Sequence, residues 1–195
     1  MDRVTKQAAE LAWDSALAGH RETIDAVASM AADLGRAAGL VADAFATGGQ
    51  LLVCGNGGSA ADAQHIAAEF VGRYLKERTP FPAIALNANS SAVTAIGNDY
   101  GFDEVFARQV RAHGRAGDVL LAITTSGDSP NVLRAVEAAR EAGMSVIGLT
   151  GRDGGALAAL CDVCLTVPVK STPRIQEAHI LIAHVFCGLV EDALS

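Results

Sequence analysis

The sequence predicts an α/β protein: a doubly wound, five-stranded parallel sheet flanked by helices, with an N-terminal helical arm. Three observations predict it. Five short apolar runs, QLLVCG, PAIALN, DVLLAITTSG, SVIGLTG and CDVCLTVPV, follow one another after residue 48. Glycines flank them and helical stretches separate most of them, the pattern of strands covered on both faces. The first run breaks directly into a glycine-rich turn and a helix, which is how a chain cradles a phosphate.

In chain order, residues 1–47 are Ala-rich and lack proline, with Leu11, Ala12, Ser15 and Ala16, then Ile24, Val27, Ala28 and Ala31, at helical spacing. They are expected to form two helices turning near Gly19, an arm on a core spanning 48–195, the whole being one domain. After the first strand, Ser59 is the expected N-cap of a helix. After the third, TTSGDS leads into a helix from about Pro130. A last helix starts at STPRIQEAH, with Ser171 or Thr172 as cap and Pro173 in its first turn. Ile175, Ala178, Ile182, Val185, Phe186 and Leu189 wrap much of its circumference, so it wants cover beyond one sheet face, and oligomerisation is a natural source.

Composition excludes several partners. The chain has 195 residues, half of them hydrophobic, and a formal charge of -7 with its basic residues scattered. No basic field is present to hold a nucleic-acid backbone. The start, MDRVTKQAAELAWDSA, is too polar for a secretory or spanning segment, so no membrane association and a cytoplasmic location are expected. Cys161-Asp-Val-Cys164 has no second CxxC pair and lies in an alternating run, which suggests that the two thiols share neither face nor partner. All four cysteines are expected to be small core residues.

Gly55-x-Gly57-x-x-Ala60 fits the permissive dinucleotide fingerprint, but the second strand ends in Asn87 and Asn89 where a ribose-binding acid is needed. The loop instead offers Asn56, Gly57, Gly58 and Ser59 to an anion at a helix N-terminus. A second loop places Thr124, Thr125, Ser126 and Ser129 around one glycine. Two such loops at the carboxyl ends of neighbouring strands converge on one crevice and suggest a phosphate held by hydroxyls and amides. Asp128 brings a negative charge into the second loop, which disfavours a dianion there unless the carboxylate points outward. His65 and Glu69, spaced i, i+4 with Arg73 next along, share a face from which Ile66 and Phe70 turn away. Taken alone they would be an exposed ion pair, and His179 and His184 would be core histidines.

CGNGGSAADAQHIAAEFVGRY, AIGNDYGF, TTSGDSPNVLRAV, LTGRDGG and RIQEAHILIAH resemble the phosphoheptose isomerases of the sugar isomerase (SIS) fold, from about residue 40 to the end. The resemblance implies a ketose-aldose isomerisation of a phosphorylated seven-carbon sugar, sedoheptulose 7-phosphate to D-glycero-D-manno-heptose 7-phosphate. It implies a homotetramer with active sites between subunits and one zinc ion per subunit. His65, Glu69, Gln176 and His184 would be zinc ligands, although about 12 Å of helix rise separates the last two. Glu69 would be the base and His184 the acid of an enediolate mechanism. Asn98, Asp99 and Gln176 would bind substrate beside the two loops. Asn89 and Ser171-Thr172-Pro173 depart from positions where related enzymes often carry an acid. The SIS fold also serves non-catalytic phosphosugar-binding or replication-initiator-binding modules, but a close relative of that kind has altered the Glu69 and His184 positions, which this chain keeps.

Overall fold

A computed structural model describes residues 3–195. Five parallel strands, β1 (Leu51–Gly55), β2 (Ala83–Ala85), β3 (Val119–Thr124), β4 (Ser145–Gly151) and β5 (Val163–Val167), form one sheet in the order β2-β1-β3-β4-β5. β1 and β3 are buried at every residue, as their unbroken apolar runs demand. The order reverses between β1 and β3, and the crevice outside their carboxyl ends is where an open α/β sheet binds ligands.

Helices α2 (Ala31–Ala46), α3 (Gly58–Val71) and α8 (Thr172–Leu194) cover one face, burying Leu34, Val41, Ile66, Phe70, Ile182 and Phe186 against it. The other face is covered by α5 (Ala107–His113), α6 (Pro130–Glu141) and Leu157 of the short α7 (Gly155–Ala158). Between β2 and α5 lie α4 (Ser90–Tyr100) and a 3-10 turn (Phe102–Glu104). Ser171 precedes α8 and Pro173 sits in its first turn, as expected. No helix among the described residues is long and apolar enough to cross a membrane.

Three expectations are corrected. The first helix, α1 (Lys6–Ala26), runs straight through Gly19, and the chain reverses at Val27–Met30 instead. Arg174 of α8 lies at ordinary contact distance from Gly19, and the Thr23 hydroxyl donates to its carbonyl at 2.7 Å within the helix. Nor is all of 1–47 an arm. Leu34, Ala37, Ala38, Val41 and Ala44 of α2 belong to the core, whereas α1 buries only Thr23.

The third correction concerns the thiols. Cys161 and Cys164 are free and half-buried, yet both sulfurs close on Gly148, where a Cβ would lie 2.7 Å from one and 3.0 Å from the other. The expected alternation fails because β5 begins only at Val163, leaving Cys161 on the preceding loop with its thiol directed at the Leu157 carbonyl. The neighbouring Cys161 sulfur and the Thr166 hydroxyl hold the Cys164 thiol below its ordinary range, against the effect of burial. The other two, Cys54 and Cys187, are buried as expected, and burial pushes each thiol up to about 12.

Candidate active site

The two glycine-bearing loops meet at the β1/β3 switch point. Gly57, at φ +56, is the N-cap of α3, so Ser59 lies inside the first turn and is not its cap. The serine is buried beneath Gly55, which leaves the first amides of α3 facing the crevice. In the second loop the Thr124 hydroxyl lies 2.8 Å from that of Ser129 and 3.3 Å from that of Ser126. Gly127, at φ +78, must be glycine, because a Cβ there would fall 2.1 Å from the Gly154 carbonyl oxygen. Asp128 is exposed, and its Oδ1 accepts the Ala156 amide at the start of α7 at 2.9 Å. A cavity of about 680 Å³ opens beside Ser126, with Asp128, Arg152, Asp153 and Lys170 on its wall, two charges of each sign.

Asn56 and Asn131 tie these loops together. Each side-chain amide donates to the other's oxygen at 2.8 Å, and Asn131 is buried at the start of α6. The Asn56 side chain is therefore committed to the scaffold.

The face of α3 beyond the loop carries the second part. Gly58 lies against Gln176, His65 against His184 and Phe70 against Phe186, so α3 and α8 run side by side in the same direction. His65 Nε2 is 2.9 Å from Glu69 Oε1 and 3.3 Å from His184 Nε2. The ligand atoms of all three residues lie within 4.8 Å of one another, half open to solvent. One ring nitrogen of His65 thus meets both a carboxylate oxygen and a second imidazole nitrogen, and a single N–H cannot serve both. Two imidazoles and a carboxylate around one point form a donor set that suits zinc, with a position left open.

The Gln176 amide packs on Gly58, about 10 Å of helix rise from His65, and so lies beside the phosphate loop. Asn98 and Asp99 stand on the last turn of α4, exposed and bonded to each other at 2.7 Å. Asn89 caps α4, its Oδ1 accepting the Ala92 amide at 3.1 Å, a role an aspartate would fill equally. Thr125 is half-buried in the second loop, its carbonyl against Gly151.

Sequence reasoning missed several supporting groups. Tyr74 stacks on the His184 ring with centroids 5.7 Å apart. Arg78 and Glu191 form a buried ion pair at 3.0 Å behind it. Asp62, one turn before His65, keeps Oδ2 buried without a partner, and burial raises its carboxyl above the ordinary range while His65 works in the other direction. Only the separation of Asp62 from His65 was visible in the sequence.

The profile of the SIS domain family matches residues 17–151. The phosphoheptose isomerase of Rhodospirillum rubrum is 62% identical over 161 residues, 83% of this chain and 86% of that one. The chain belongs to the phosphoheptose isomerase family of SIS-domain proteins. Its relative in Aliarcobacter butzleri, also a phosphoheptose isomerase, is 52% identical over 177 residues, covering 90% of this chain and 94% of its own. Among solved structures, phosphoheptose isomerase GmhA of Neisseria gonorrhoeae superposes with a TM-score of 0.85 at 47% identity, covering 96% and 98% of the two chains. The family fold is therefore the one described above, and most of each relative's length is shared.

Proposed function

We propose that the chain isomerises sedoheptulose 7-phosphate to D-glycero-D-manno-heptose 7-phosphate through an enediolate. The observation that carries this reading is the convergence of Glu69 and His184 on one point, along α3 from the phosphate loop that opens that helix. A phosphate seated on the amides of α3 and the hydroxyls of Ser59, Thr124, Ser126 and Ser129 anchors one end of the sugar. Helix geometry then sets the reach: about 10 Å separates Gly58 from His65, suited to a substrate whose reacting carbons lie far from its phosphate. Gln176, beside Gly58, is placed to bind the intervening hydroxyls.

Moving the carbonyl from C2 to C1 needs a base for the C1 proton and an acid for the enediolate oxygen. Glu69 turns Oε1 toward His65, leaving Oε2 for the proton, which it returns to C2. His184 supplies and retrieves the oxygen-bound proton. His65 fixes the Glu69 carboxylate. Zinc bound by His65, Glu69 and His184 would supply Lewis-acid stabilisation of the developing oxyanion. The non-catalytic alternative is disfavoured because both proton-transfer residues are present and together.

The same reading makes the protein a cytoplasmic homotetramer whose sites lie between subunits. Incubating it with sedoheptulose 7-phosphate in deuterated water, with and without chelator, tests the chemistry. Wild type is expected to form the aldose with deuterium at C2. Glu69→Gln is expected to lose conversion and label together, because the amide accepts no proton, and His65→Ala to retain measurable conversion with weaker zinc binding. Wild-type labelling rates in Glu69→Gln would place the base elsewhere.

A further inference from the structure

Behind the trio lies a buried construction that phosphate binding and proton transfer leave unexplained. The Glu191 carboxylate, on the last turns of α8, accepts the amides of Tyr74, Leu75 and Lys76 at 3.1, 2.8 and 2.8 Å. Arg78 donates Nε to the same carboxylate at 3.0 Å, and both side chains are at most 5% exposed. The guanidinium then caps the C-terminal end of α3, donating to the carbonyls of Glu69 at 2.8 Å and Phe70 at 2.9 Å. Burial works against the ionised Glu191, but the three amides and Arg78 more than offset it, and the carboxyl is held below its ordinary range.

This pair reaches both reacting side chains. Through Arg78 it holds the peptide carbonyl of Glu69 itself. Through the Tyr74 amide it fixes the residue whose ring lies on the His184 imidazole, the two planes inclined by only 19°. Gly188, one turn beyond His184, gives that ring its place: a Cβ there would lie 3.3 Å from Tyr74 Cε1. A glycine inside a helix costs about 1 kcal/mol relative to alanine, so its presence asks for such a reason.

We infer that Tyr74, anchored by the Arg78–Glu191 pair and seated on Gly188, is a positioning residue that holds the His184 ring in line with Glu69 and His65. The inference rests on the isomerase reading for its effect on turnover but not for its effect on geometry. The phosphate loops lie at the opposite end of α3, so substrate affinity is not engaged.

Tyr74→Leu and Tyr74→Phe test it, each measured for kcat, KM, zinc affinity by titration with the metal alone, and thermal unfolding. Supporting groups of this kind typically change activity or metal affinity about 10- to 100-fold. Tyr74→Leu is expected to lose kcat and zinc affinity by that factor with KM unchanged, and Tyr74→Phe, which keeps the stacked face, to match wild type. Unchanged kcat and zinc affinity in Tyr74→Leu overturn the inference, as does a loss confined to KM or an equal loss in Tyr74→Phe. Should Tyr74→Leu not fold, Tyr74→Met, which keeps an apolar side chain but no ring face, replaces it, and unchanged kcat and zinc affinity there overturn the inference too. A wild type that binds zinc without isomerising or exchanging the sugar removes the proposed function, and the zinc titration alone then decides the role of Tyr74. A wild type that does neither removes both.

Discussion

His179 and His184 stand on the same helix and have opposite surroundings. His184 looks into the half-open trio, whereas His179 is fully buried, its Nε2 donating to the Thr150 carbonyl at 3.0 Å and its Nδ1 without a partner. Burial pushes the His179 imidazole from 6.5 down to about 4, the Thr150 carbonyl acting weakly the other way. Between those values the unfolded chain carries a proton that the folded chain refuses, so this contribution is fully present above about pH 6.5 and declines as pH falls toward 4. The whole shift corresponds to on the order of 3 kcal/mol. Thermal unfolding is therefore expected to show a larger loss of stability from pH 7 to pH 4.5 in wild type than in His179→Gln. Equal pH slopes in the two proteins would show that His179 titrates alike in both states. The sequence places both histidines in one apolar helix and cannot separate them, because the distinction comes from whether β4 or α3 lies opposite.

At the scale of elements, the site is two loops joined by one amide pair. Removing either Asn56 or Asn131 leaves polar atoms of the other unpaired, a cost of about 1–3 kcal/mol where they are buried. Asn131→Ala is expected to raise KM for the phosphosugar with less effect on kcat, and the double variant with Asn56→Ala to be no worse than the more damaging single one. A larger effect of Asn56→Ala than of Asn131→Ala would mean that Asn56 also touches substrate. The loops themselves were legible, since β1 and β3 are continuous apolar runs ending in glycine and hydroxyl residues. Helix termini were less so: Gly57 opens α3 at positive φ and takes the place expected of Ser59. The turn between α1 and α2 was misplaced because a single glycine costs a helix only about 1 kcal/mol and α1 runs through it. The Arg78–Glu191 clamp was beyond reach, because 113 residues separate its partners and nothing local to either marks the pairing.

At the scale of the molecule, α8 is apolar all round, but its residues divide between two purposes. Phe186 packs on Phe70 inside the subunit, 3% exposed, so a charge there would prevent folding and report nothing about assembly. Leu181, Val185 and Leu189 form an i, i+4, i+8 stripe that is 43%, 45% and 39% exposed. An apolar stripe on a helix that already has a filled inner face is the surface a second copy of the chain would cover. Leu181→Glu is expected to keep the subunit folded and to sediment as a smaller species than wild type, which is expected to be a tetramer when dilute. Assembly also bears on the site. Asp99 is exposed on α4 and bonded to Asn98, so in the proposed assembly with sites between subunits it is free to read sugar hydroxyls at a neighbour's trio. Mixing Glu69→Gln and Asp99→Ala proteins through reversible dissociation is then expected to restore isomerisation that neither shows alone, since some mixed sites combine an intact Glu69 with an intact Asp99. Absence of any rescue, with mixed tetramers shown to form, would place both residues in one subunit's site.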